Sequence, residues 1–374
     1  MTDGIARAWA YLSRVAEPPC PELRALVKQV GPVEAASLVR AGVDGRFGQR
    51  VEARRHIDCA AEDLEILARL GGRLVTADDD EWPLLAFRAF GGAVADRWRP
   101  QAHEPLVLWV VGPARLDEVA SRAAAIVGTR ASTAYGEFVA ADLAAGLASR
   151  DAAVVSGGAF GIDGAAHRAA LAADGLTVAV LAGGVDVPYP AGHAGLLGRV
   201  REEGLLVTEY PPGERPARHR FLTRNRLVAA LAGATVVVEA GARSGAASTA
   251  AWARALGRVV CAVPGPVTSA TSVGCHALLR GDAHLVTRTE DVIELIGHAG
   301  ELAPDEQRPS SPLDGLADTD KRVYDALPAR GARTVDEIAV AAGLPATQVL
   351  GPLTVLELGG LVVCRDGRWK LALR

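Results

Sequence analysis

Between residues 123 and 163 a continuous apolar run twice ends in a glycine-bearing loop that begins a helix. Ala123–Val127 leads into Gly128-Thr129-Arg130, and Ala153-Val154-Val155-Ser156 leads into Gly157-Gly158-Ala159-Phe160-Gly161-Ile162-Asp163. Strands that are apolar at every position are covered on both faces, which is the condition of a parallel sheet wrapped by helices. Such a sheet opens its ligand crevice at the carboxyl ends of its strands. These two loops are therefore the first place to look for function.

The alternation continues, with strands expected at 178–181, 205–208, 235–239 and 259–263 and helices near 193–203, 223–232 and 246–257. An earlier apolar run, 106–112, reads as the first strand of this domain. Residues 1–75 have helical periodicity, with Gly31-Pro32 starting a new helix in a turn of helix-hairpin-helix or SAM-like character. The acidic run Asp78–Glu81 before Trp82-Pro83 reads as a solvated loop. A Pro- and Ser-bearing linker is expected over 298–316. Beyond it, helices at 318–328, 334–342 and 346–358 precede two alternating strands joined by Asp366-Gly367, a hairpin signal. Three helices and a hairpin is the order of a winged helix. Its third helix holds Gly351-Pro352, which argues against continuity, and no basic residue, so protein contact ranks above DNA reading.

With 374 residues, 49% hydrophobic and 22% charged, the chain can bury several cores. It has no run of about 18 uncharged apolar residues and no basic, apolar leader, so a cytoplasmic protein without membrane contact is expected. The five cysteines are scattered without metal-ligand spacing, which argues against disulfides and a metal site, and Cys275-His276 reads as a packed turn rather than a nucleophile. No cofactor is expected. A net charge of -4 confines any nucleic-acid site to a local patch.

Candidate patches lie at the loops. Gly128-Thr129-Arg130 sets a turn, a hydroxyl and a guanidinium at a helix start, an arrangement that attracts phosphate. Ser156-Gly157-Gly158-Ala159-Phe160-Gly161 offers a second glycine nest, and Arg243-Ser244-Gly245 a third loop at a helix start. Between them the most basic window of the chain carries Arg218, Arg220, Phe221, Arg224, Asn225 and Arg226, arginines interleaved with an aromatic ring and an amide as single-stranded nucleic acid requires. Tyr189 and His193 can stack as well. Two enzyme readings compete. A dinucleotide oxidoreductase lacks its G-x-G-x-x-G, and a nucleotide hydrolase has Glu209, Glu239 or Asp163 for acid or base but no paired-carboxylate spacing.

At these same residues the chain resembles the DNA-processing protein A family (DprA, also called Smf). The matching stretches are Ile126–Arg130, Ser156–His167, Gly183–Pro190, Glu209–Gly213, Arg224-Asn225-Arg226, Gly241–Gly245, Pro264-Gly265 and Gly274-Cys275-His276, in order over about residues 105–296. The resemblance implies an α/β fold with an extended Rossmann-like, mostly parallel sheet over 76–297, a helical N-terminal domain over 1–75 and a C-terminal winged-helix domain over 317–374. It implies a non-catalytic protein that binds single-stranded DNA, pairs as a homodimer, and loads RecA recombinase during natural transformation, with single-strand binding protein as a further partner. Arg130 matches the family's DNA-contacting arginine, and the loops at 157–161 and 241–245 match its pocket walls. Pairing is expected near 271–296, where His276, Leu278 and Leu285 are placed in the interface. One departure stands out. Where many relatives carry a DNA-touching lysine after Tyr189-Pro190, this chain has Ala191-Gly192-His193, and weaker binding, or compensation from Arg218, Arg220 or Arg224, is expected.

Overall fold

The computed structural model describes residues 2–91, 102–242, 244–297, 300–302 and 313–372. Chain contacts divide it into two units, Met1–Ala303 and Pro304–Arg374. Of the expected linker, residues 298–299 and 303–312 lie outside the described residues.

The first unit is built on nine strands: β1 Gly72–Val75, β2 Leu108–Val111, β3 Ala123–Val127, β4 Ala153–Ser156, β5 Thr177–Val180, β6 Leu205–Thr208, β7 Ala234–Val237, β8 Val259–Ala262 and β9 His284–Leu285. Their order across the sheet is β1-β2-β6-β5-β4-β3-β7-β8-β9. From β6 to β9 every pair is parallel; β2 runs antiparallel to β6, and β1 antiparallel to β2. Because β4, β5 and β6 lie on one side of β3 and β7, β8 and β9 on the other, the chain reverses its direction of growth between β3 and β7, and a crevice opens there.

The period-two alternation of strand side chains divides each run between the two faces. Ala123, Ala125 and Val127 of β3 pack with Val155, Val237 and Trp252 on one side. Ala124 and Ile126 pack with Leu143, Leu147 and Val236 on the other. The alanines Ala140 and Ala144, both fully buried, bring the helix Ala134–Ala148 close to the sheet.

Two expectations are corrected here. The boundary drawn at residue 75 does not separate two cores, since β1 is a strand of the sheet and Leu12, Leu23 and Leu67 of the N-terminal helices share one core with Trp109, Val111 and Leu206. Nor is the acidic run wholly solvated. Glu81 is buried, accepts from Arg73 Nε at 2.6 Å and from the Leu116 amide at 3.0 Å, and so pins the β1 edge to the chain after β2.

The second unit has helices Asp318–Asp325, Val335–Ala342 and Ala346–Leu358 and a hairpin of β10 Val362–Arg365 with β11 Arg368–Leu371. Asp366 and Gly367 have φ of 52° and 71°, the left-handed pair that a two-residue hairpin turn demands. Thr334 and Glu337 form a capping box at the second helix. The third helix runs on through Pro352, held by Val349, Leu353 and Leu356 in the core.

Candidate nucleic-acid interface

A cleft of about 870 Å³ lies at the carboxyl ends of β3, β4 and β7, the place where strand order reverses. Gly128, Thr129 and Arg130 form one wall, Ser244 and Gly245 another, and the helix Arg218–Ala230 contributes Arg218, Phe221, Arg224 and Asn225. Gly157 and Tyr189 complete the group of expected residues that line it. Arg243 lies outside the described residues.

The glycines serve close packing between the loops. A Cβ on Gly128 would fall 2.4 Å from Ile162, one on Gly161 2.3 Å from the Thr129 carbonyl, and one on Gly157 2.4 Å from the Arg224 guanidinium. The β3 and β4 loops lock together through the Ile162 amide, which donates to the Thr129 carbonyl at 3.3 Å. Gly158 and Gly161, with φ of 70° and 75°, make the β4 loop a turn that only glycine takes without strain.

The anion nest expected in that loop is corrected by its own hydrogen bonds. The Gly157 and Ala159 amides donate to Asp163 Oδ2 at 3.2 and 3.4 Å, so an internal carboxylate occupies the position an outside anion would take. The Ser156 hydroxyl is buried and donates to the Ile126 carbonyl at 2.6 Å. Phe160, half exposed, instead meets the ring of the buried His193 at 4.6 Å, while His193 Nδ1 lies 3.0 Å from the Gly158 carbonyl. These two residues stand beside the cleft and do not line it.

The basic window splits by depth. Arg218 is exposed at the cleft rim. Arg224 lines the floor but is buried. Its Nη1 donates to the Gly157 carbonyl at 2.8 Å and to the Val180 carbonyl, and burial pulls its pKa down to about 10. Arg220 is buried and paired with Glu17 at 2.7 Å and Glu214 at 2.6 Å, away from the cleft. Arg226 is fully buried on Glu209 at 2.6 Å and over the Phe90 ring, so its expected role in contacting nucleic acid does not fit its place. Among the expected compensators for the missing lysine, Arg218 alone is exposed at the cleft. Arg130 is exposed, and its guanidinium stands 5.3 Å over the Phe221 ring, which in turn lies 5.4 Å from Tyr189. A cation and two aromatic rings from three segments thus meet in the lining of the cleft.

The carboxylates offered as acid or base are engaged. Glu239 accepts from the Thr133 amide at 2.9 Å, the Thr133 hydroxyl at 2.6 Å and the Thr271 hydroxyl at 3.0 Å, clamping the start of the helix Ala134–Ala148. Glu209 is held by Arg226, and burial pushes its carboxyl above the usual range against that arginine's pull. Burial likewise raises Asp163, opposed by Arg224 and by the loop amides. Cys275 is buried, its thiol pushed up to about 11 by burial, and His276 Nε2 lies 3.0 Å from the Gly265 carbonyl, as a packed turn requires. Among the described residues no group of three metal-ligating side chains occurs. Among the same residues no single helix is long and apolar enough to cross a membrane.

Sequence reasoning missed Pro216, Ala217 and Leu222 in the lining because they carry no charge or aromatic ring to single them out, and it began the helix at 223 rather than 218. Arginines dominate that first turn, and no capping side chain marks it. Of the residues placed in a pairing surface, Leu285 is 57% exposed on the edge strand β9, Leu278 packs partly against the core, and His276 is half-buried.

A family model for DNA recombination-mediator protein A matches residues 73–297, and one for the DprA winged helix domain matches residues 307–368. The chain is 70% identical over 372 residues to a protein named DNA processing protein DprA in Mycobacterium tuberculosis, covering 99% of this chain and 95% of that one. It is 33% identical over 342 residues to Protein Smf of Escherichia coli, covering 90% and 86%. The X-ray structure of DNA processing protein A from Streptococcus pneumoniae matches with a TM-score of 0.62 at 27% identity, over 79% of this chain and 99% of that one. The chain belongs to the DNA recombination-mediator protein A family.

Proposed function

We propose that this family member binds single-stranded DNA in the cleft between β3, β4 and β7, without catalysis, in the cytoplasm. The observation that carries the reading is the meeting of exposed guanidiniums with aromatic rings in the lining of the cleft. Arg130 and Arg218 attract the phosphate backbone, while the half-exposed Tyr189 beside Phe221 offers a ring on which an unstacked base can lie. The competing hydrolase reading needs a carboxylate free to move a proton, whereas Glu209, Glu239 and Asp163 each hold a structural hydrogen bond. Purified protein titrated with poly-T strands across a salt series, beside turnover assays with free nucleotides, separates the two. Steep salt dependence and no turnover is expected; turnover with salt-insensitive binding would overturn the reading.

The role in recombination follows the family resemblance: a two-fold dimer that hands the strand to RecA recombinase during natural transformation, with single-strand binding protein as a further partner. Leu285, apolar and exposed on the edge strand β9, supports pairing through this end of the sheet. A two-fold contact repeats one patch on both partners, so Leu285→Asp places two charges in it and should yield monomers by light scattering. The monomers should lose the preference for strands long enough to reach two clefts. A wild type that is monomeric at micromolar concentration would rule this interface out.

A further inference from the structure

The helix Arg218–Ala230 starts badly by its own sequence. Its first turn holds Arg218, His219 and Arg220 and no acidic residue, and Ala217 at the N-cap has no side chain to accept an amide hydrogen. Free amides and the positive end of the helix dipole favour an anion there, and the two arginines are the wrong charge. Yet this turn carries Arg218 and Phe221, the cation and the ring that face the cleft.

The missing anion comes from about 200 residues away. Glu17, just after the helix Asp3–Val15, accepts from Arg220 Nε at 2.7 Å and Nη2 at 3.0 Å, a two-point fork, and lies 3.1 Å from His219 Nε2. Arg54 Nη2 steadies the same carboxylate at 3.0 Å. Burial works to raise the Glu17 carboxyl, but Arg220, His219 and Arg54 together hold it below its usual range, as expected of an anion in use. A second tie runs alongside. Arg14 donates to the Pro212 carbonyl at 2.7 Å and meets Glu214 at 3.4 Å, and Glu214 takes Arg220 Nη1 at 2.6 Å. The N-terminal region thus grips the helix start through residues that do not line the cleft.

We infer that Glu17 is a positioning residue for the cleft, standing in for the acidic first-turn residue that the helix Arg218–Ala230 lacks and so holding Arg218 and Phe221 in place. The inference rests on the single-strand reading of the cleft. It does not need Glu17 to touch DNA.

The test uses the full chain with Glu17→Gln, and with Arg220→Lys, which keeps the charge but loses the fork. Binding of a fluorescent poly-T strand should weaken about fivefold, the scale of one lost helix-start interaction. Amide hydrogen exchange at residues 221–224 of the free protein, the first amides bonded within the helix, should quicken. The deciding readout is rescue. Ala217→Ser gives the helix a cap of its own, so in the Glu17→Gln background it should restore both affinity and exchange protection. A role confined to stabilising the N-terminal helices would not be mended by a cap on a different helix. Unchanged exchange at 221–224 in both single variants, or lost affinity that Ala217→Ser fails to recover, overturns the inference. Arg130→Ala, run in parallel, separates the two levels. If it too leaves binding intact, the cleft assignment itself falls; if it weakens binding while Glu17→Gln does not, only the role of Glu17 falls.

Discussion

The loop Gly128–Arg130 and the helix Arg218–Ala230 both bring arginine to the cleft, but they use it in different ways. Arg130 is exposed and rests over a ring. Three of the helix's four arginines, Arg220, Arg224 and Arg226, are buried on carboxylates or carbonyls, and only Arg218 faces water. The densest basic stretch of the sequence therefore supplies one exposed charge to the described cleft, and a loop with a single arginine supplies another. Density of charge along the chain measures neither affinity nor field, because a guanidinium paired in the interior has its charge cancelled before any ligand arrives.

The contrast predicts opposite phenotypes. Arg226→Ala leaves the buried Glu209 without its ion pair and should cost about 3–5 kcal/mol of stability in denaturant unfolding, with the folded fraction still binding poly-T normally. Burial already raises the Glu209 carboxyl, and Arg226 is what opposes it. Without Arg226 the folded state favours the protonated acid more strongly, so the deficit should be greatest near neutral pH and shrink as pH falls toward the ordinary carboxylate range. Normal stability with weak DNA binding would place Arg226 on the ligand side after all.

Arg130→Ala should do the reverse. Loss of a charge-assisted phosphate contact is on the order of 1–3 kcal/mol in affinity, with a shallower dependence on salt and an unchanged melting temperature. A variant that binds as tightly as wild type across the salt range would remove this loop from the interface. The smallest effect is expected from deleting residues 305–374. The second unit has its own core of Val323, Ile338, Val349 and Leu353, and every described cleft residue belongs to the first. Circular dichroism of the first unit and its poly-T affinity should both stay as they are. Loss of binding with the core intact would move part of the interface to the winged module.

Much of this architecture was legible from local pattern. The runs 123–127 and 153–156, the glycine loops that follow them and the Asp366-Gly367 hairpin lie where the sequence places them, because apolar periodicity and positive φ are properties of a few adjacent residues. The place of the cleft follows too, since loops at the carboxyl ends of neighbouring parallel strands must meet. Tertiary structure alone decided which polar groups remain for a ligand. Glu81, in a run that reads as solvated, is buried because Arg73 and the Leu116 amide close on it. The Gly157 and Ala159 amides turn inward to Asp163, and Arg220 turns away from the cleft because Glu17, 203 residues earlier, waits behind it. Burying a charge is tolerable only where a partner of opposite sign or a set of carbonyls meets it, and that partner is supplied by the fold from distant parts of the chain.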